Sequence, residues 1–259
     1  MAIDFSKMII KSAEEVYLFN KNTDTIKSFY DEVTSIKFTG DSDEKEVSGA
    51  NGAVLAILDS KKKLTTEFTN AYYTTDGLAT VTGGEADSAS ESNKFIIRRF
   101  EYVKLSEGKT LTLKDTPITK TVDSESTGVV VEVDSLNSDK SIKEVVSSAT
   151  VSGKVVTLTD GTVGDIYRVV YDTEVVSGVR VSDNANEFAG TYRMVANLLV
   201  EDPCDHKEYY LQADIPSLKV KTSYAIEVGD NPATMTVTGT AIKDICSSDG
   251  KFAYYTLIG

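Results

Sequence analysis

The chain has 259 residues, with 40 acidic against 27 basic side chains, a net charge of −13, and 41% hydrophobic residues. That is enough apolar material for one large β domain or two smaller ones, and so acidic a surface repels a nucleic-acid backbone and argues against specific DNA binding. The longest uncharged apolar run, GAVLAIL at 52–58, is too short to cross a bilayer, and two cysteines are too few for a disulfide framework.

Acid is spread along the chain and not gathered in a tail. Residues 1–103 hold 12 basic and 17 acidic side chains, 104–177 hold 8 and 12, and 178–259 hold 7 and 11. Thr, Ser and Val outweigh Leu, which favours strands over long helices. The opening residues lack a basic start followed by an apolar core and a cleavage site, so a cytosolic origin without a secretory leader is expected.

In chain order, Phe5, Met8, Ile9 and Ala13 fall near helical spacing ahead of the strand-like VYLF at 16–19. VTSIKFTG at 33–40 reads as a strand and DSDEKE at 41–46 as an acidic loop. GANGAVLAIL at 49–58 reads as a buried strand entered through a turn, and KKK at 61–63 as a turn or a lysine-guarded strand edge. In LTTEFTN at 64–70, Leu64, Thr66 and Phe68 share one face of a half-buried strand. Thr75 or Asp76 is the expected cap of a short helical turn through Leu78 and Val81, closed by Gly83-Gly84. FIIRRFEYVKL at 95–105 is a long strand.

Residues 104–177 read as a separate module. KTLTLKD, GVVVEVDS, KVVTLTDG and DIYRVVYDTEV are strands separated by Gly, Asp and Ser turns, with a short helix possible only at SIKEVVSSA, 141–149. Regularly spaced short strands over this length predict a small immunoglobulin-like sandwich. Residues 178–259 resume strands in RVSDN, TYRMVANLLVED, KEYYLQADIPS, KTSYAIEV, ATMTVTGTAI and KFAYYTLIG. Pro216 has no N–H for a ladder, so it marks a strand end or edge, and GDNPA at 229–233 is a turn.

No constellation for chemistry emerges. Nucleophilic catalysis usually needs a histidine base, and the one histidine, His206, lies in EDPCDHKEYY beside Cys204 and Asp205. Their spacing lacks the two paired ligand sets of a zinc site, and a polar loop between strands accounts for them. Forty acids guarantee close carboxylate pairs, so such pairs carry no information about glycoside hydrolysis. GTVGD at 161–165 and SGANGA at 48–53 match no phosphate-binding fingerprint, and DSDEKE lacks the glycine and glutamate of a calcium loop. No metal, no cofactor and no enzymatic activity are expected.

Three passages carry a resemblance. KKLTTEFTNAYYTTDGLATVTGGE runs a strand into a helical turn closed by Gly-Gly. SGKVVTLTDGTVGDIYRVVYDTEV ends the central module. EYYLQADIPSLKVKTSYAIEVGDNPATMTVTGTAI joins strands through an IP corner and a GDNPA turn. Together they span residues 64 to 242, and their order resembles the bacteriophage major tail tube protein family.

That resemblance implies a mainly β chain, with a β-sandwich or barrel tube-forming domain in 1–103 and 178–259, one or two short helices, and an inserted immunoglobulin-like module in 104–177. It implies a virion protein of the tail, made in the host cytoplasm. Such a protein self-assembles into stacked hexameric rings through which DNA passes without specific binding. Other tail proteins such as sheath, baseplate or terminator would be partners, with no membrane. Asp41, Asp43, Glu44 and Glu46 are the candidate lumen-facing or ring-contact acids. A head-decoration or baseplate protein, or a non-viral binding module, would share much of this pattern.

Overall fold

The computed structural model describes residues 7–48, 50–122, 125–129, 131–146, 148–226, 233–243 and 250–258. The chain is mainly β, with one short helix among the described residues, and the ladders of its main sheet are antiparallel. It divides into two compact units, residues 1–87 with 180–259, and residues 88–179.

The first unit opens with β1 (Ile9–Asn20), β2 (Ile26–Tyr30), β3 (Val33–Ser48) and β4 (Val54–Asn70), then α1 (Thr75–Thr82) and β5 (Ala86–Ser88). The helical spacing expected around Met8, Ile9 and Ala13 is overruled: these residues enter or precede β1, whose ladder to a later strand of the sheet runs through irregularities at Ile10/Ser12 and Ala13/Glu15. Ladder bonds along a long partner strand outweigh a few apolar residues at helical spacing, which cannot nucleate a helix on their own. Phe5 lies outside the described residues.

The expected helical turn forms, with its cap one residue earlier than expected. The Gly77 N–H donates to Thr74 Oγ1 at 3.0 Å, and Gly83 closes the helix with φ 83°, donating its N–H to the Ala79 carbonyl at 3.0 Å. Glycine reaches that left-handed conformation without steric cost.

The second unit contains β6 (Phe95–Lys104), β7 (Thr110–Thr112), β8 (Thr119–Val122), β9 (Glu125–Val129), β10 (Val131–Leu136), β11 (Ile142–Val145), β12 (Ala149–Ser152), β13 (Val155–Leu158) and β14 (Ile166–Val175). Two sheets, β11-β10-β14-β6 and β12-β13-β7, enclose a core that includes Leu105, Leu111, Val133, Val156 and Val169. The described residues of SIKEVVSSA are not helical. Its Glu144 pairs with Ser135 and its Val145 with Asp134, and β-branched residues suit that pleated edge.

β15 (Val179–Val181) pairs with β5, and the first unit is completed by β16 (Thr191–Glu201), β17 (Glu208–Val220), β18 (Met235–Ala241) and β19 (Tyr254–Ile258). The main sheet runs β2-β1-β16-β17-β18-β4-β3, with β19 also on β17. β17 serves two neighbours: Tyr210–Asp214 pair with β19, and Leu218–Val220 pair with β18. Pro216 lies between those stretches, inside the strand and not at its end. There the register against β16 slips between Tyr192 and Met194, and a bulge is where a sheet tolerates a residue without an N–H. The inward faces of both stretches meet over Val16, Leu18, Phe68, Met194, Ile215 and Val237, all fully buried.

Residues 221–226 of KTSYAIEV form no strand. Lys221 instead donates its N–H to the Thr238 carbonyl at 2.8 Å. The rest of that segment and 229–232 of the GDNPA turn lie outside the described residues.

Candidate assembly surface

β18 pairs with β4 only from Leu64 to Asn70. Outward of Leu64, β4 has β3 as its sole ladder partner among the described residues, and the two continue as a hairpin from Asp41/Lys63 to Ser48/Val54. At a strand rise of about 3.3 Å per residue this arm extends roughly 25 Å beyond the sheet. Its described side chains are exposed on both faces. DSDEKE is therefore strand and not loop, and the run expected to be a buried strand is a strand in solvent, with Leu55 70% exposed. Gly49 lies outside the described residues.

A two-stranded ribbon with neither face covered is at best marginally stable in water, and exposed contiguous apolar residues mark interaction surfaces. Register defines the two faces, because residues directly opposite in an antiparallel pair share one. Lys45 stands opposite Leu58, and Val47 opposite Ala56, so one face is mostly apolar. Glu44 stands opposite Asp59, and Glu46 opposite Ile57, so the other is acidic with an aliphatic edge.

The four sequence-designated acids are all exposed on β3 but do not act together. Asp41 stands opposite Lys63, while Asp43 accepts an ion pair from Lys61 at 3.3 Å on the face away from Glu44. Lys61 has φ 49° at a register shift between Asp41 and Asp43, so this part of the lysine run marks a bulge in the arm. Glu44 and Asp59 place two like charges across the ladder, and no Lys or Arg among the described residues pairs with either or with Glu46. The apolar contribution of Val47, Val54, Leu55, Ile57 and Leu58 was missed by sequence reasoning. The signal available for it was Asn51-Gly52, a hairpin dipeptide between two strands.

The Cys204–Asp205–His206 segment is the turn between β16 and β17. His206 Nδ1 lies 2.6 Å from Glu201 Oε1, Lys207 pairs with Asp205 at 3.0 Å, and the Cys204 N–H donates to Asp202 at 2.8 Å. Glu201 is held below the usual carboxylate range, first by His206 and then by Lys11. These contacts fasten a turn, and no group of three or more His, Cys, Asp or Glu among the described residues is arranged to hold a metal ion. Cys246 lies outside the described residues.

A family model described as the YomU/Tube protein family matches residues 8–256 of this chain. No curated protein matches it.

Proposed function

Because the chain belongs to the YomU/Tube protein family, a phage tube-type structural family and not an enzyme class, we propose that it is the tail tube subunit of a virion, self-assembling into stacked hexameric rings through which DNA passes. The observation that carries this reading is the arm of β3 and β4. It leaves the sheet, exposes apolar residues on both faces and lacks a covering layer among the described residues of its own chain. A second subunit would supply that layer. Assembly would also cover the ladder groups of the outer strands β2 and β3, which otherwise invite unplanned pairing. The net charge of −13 suits a channel wall, since phosphates sliding past acid find no counter-charge to grip.

Negative-stain electron microscopy of the purified chain over a concentration series, with sizing alongside, tests the proposal. Rings or tubes with a central channel are the expected result. A monomer at every concentration would contradict it.

A further inference from the structure

A cleft of about 510 Å³ opens at the root of the arm, between the inner face of β3 and β4 and the residues that lead into β19. Its floor is apolar and aromatic, formed by Phe38, Phe252 and Tyr255, and Lys62, Lys63 and Lys251 stand around it. No carboxylate is among the described residues that line it. In a chain with a net charge of −13, three lysines at one mouth are a marked local reversal of sign. Lys251 reaches over the Tyr254 ring at 4.9 Å, and neither Lys62 nor Lys63 forms an ion pair among the described residues.

The complementary surface is on the same hairpin, further out. Glu44, Glu46 and Asp59 share a face with Ile57. Like charges directly opposite on a ladder are destabilising, so Glu44 across from Asp59 calls for a counter-charge that the described residues of this chain do not provide. The cleft presents both halves of the match, Lys62 and Lys63 for the carboxylates and aromatic rings for Ile57.

We propose that the lysine-rimmed aromatic cleft at the arm's root receives the acidic face of the arm from a second copy of this chain. The inference rests on the self-assembly reading above and specifies which two surfaces meet. Donor and acceptor surfaces lie at different positions along one hairpin, so the contact is head-to-tail. Such an interface leaves a free arm and a free cleft at its ends, and it continues until the rotation closes a ring or a filament grows.

The test is a charge swap. Four proteins are compared by sizing and negative-stain microscopy over the same concentration series: wild type, Lys62→Glu/Lys63→Glu, Glu44→Lys/Glu46→Lys, and the chain carrying all four changes. These positions are exposed, and matching thermal unfolding curves verify that each variant folds. Each reversed pair is expected to raise the concentration of half-assembly by about tenfold or more, because it sets like charges against each other. The fourfold variant is expected to recover most of that loss, and added salt to narrow all the differences.

A lysine-reversed chain that assembles like wild type overturns the proposal, as does a fourfold variant no better than either pair. Wild-type chain that stays monomeric throughout overturns the self-assembly reading and this inference with it. Wild-type assembly that ignores the reversals removes only the inference.

Discussion

The ring of Phe38, on β3, meets the ring of Tyr255, on β19, edge-on with centroids 5.9 Å apart. This contact joins the root of the arm to the last strand of the sheet and builds the floor of the lysine-rimmed cleft. An edge-to-face pair contributes about 0.5–1.5 kcal/mol beyond the area it buries. Phe38→Ala is expected to lower stability by about 2 kcal/mol, less than a fully buried phenylalanine because Phe38 is only half-buried. A double-mutant cycle with Tyr255→Ala, read by urea unfolding, should return a coupling near 1 kcal/mol. Strict additivity would show that the two rings do not support one another.

Gly77→Ala tests which of two opposing effects governs α1. Helix propensity alone favours alanine by about 1 kcal/mol. A Cβ at this position, however, would stand 2.8 Å from Met235 Sδ and 2.6 Å from Thr74 Oγ1. Met235 is buried and Thr74 caps the helix, so neither moves freely. The variant is expected to be less stable by about 1–2 kcal/mol, measured by chemical unfolding. A gain in stability would mean that the close approach is relieved by a simple shift of the Met235 side chain.

Stability is expected to fall at alkaline pH. Tyr171 is pushed up to about 12 by burial and then by its hydrogen bond to Glu101, and Tyr30 is pushed up to about 12 chiefly by burial. The unfolded phenol titrates near about 10. The folded state therefore holds its protons longer than the unfolded state. This contribution is fully present below about pH 10 and is lost as pH rises from there to about 12. Unfolding free energy measured against pH should decline across that window, and Tyr171→Phe should make the decline shallower. An unchanged slope in Tyr171→Phe would remove Tyr171 from the account.

The second unit should be dispensable for assembly. Its entering and leaving chains meet where the Ala89 N–H donates to the Gly178 carbonyl at 2.9 Å. Residues 90–177 can therefore be replaced by a short glycine linker without stretching the first unit. The unit also has a core of its own, centred on Leu111, Val156 and Val169. The shortened chain is expected to form rings or tubes at concentrations similar to the full chain, read by electron microscopy. Folded but monomeric protein would place an assembly contact in the deleted unit.

Much of the strand content was legible because alternation and turn residues agree locally. The buried face of Leu64, Thr66 and Phe68 and the Gly83 closure of α1 are both plain in the sequence. Pairing decides what remained hidden. Ile9 and Ala13 join a strand because β16 lies beside them, and Ile142–Val145 are extended because β10 offers them a ladder. The arm was half legible. GAVLAIL does contain the start of a strand, but nothing local distinguishes an apolar run buried in its own chain from one left for another chain to cover. The cleft was not legible at all, since Phe38, Lys62 and Lys251 meet only through β3, β4 and the approach to β19.

Whether the arm drives self-assembly is decided by sedimentation velocity of two proteins. One is the full chain, and in the other residues 43–60 are replaced by an Asn-Gly turn, with both followed over a concentration series. The replaced stretch is exposed throughout its described residues, so both proteins should unfold at similar temperatures. The full chain is expected to shift from monomer to large assemblies, and the armless chain to remain monomeric. Equal assembly by both, or none by the full chain, would contradict that role of the arm.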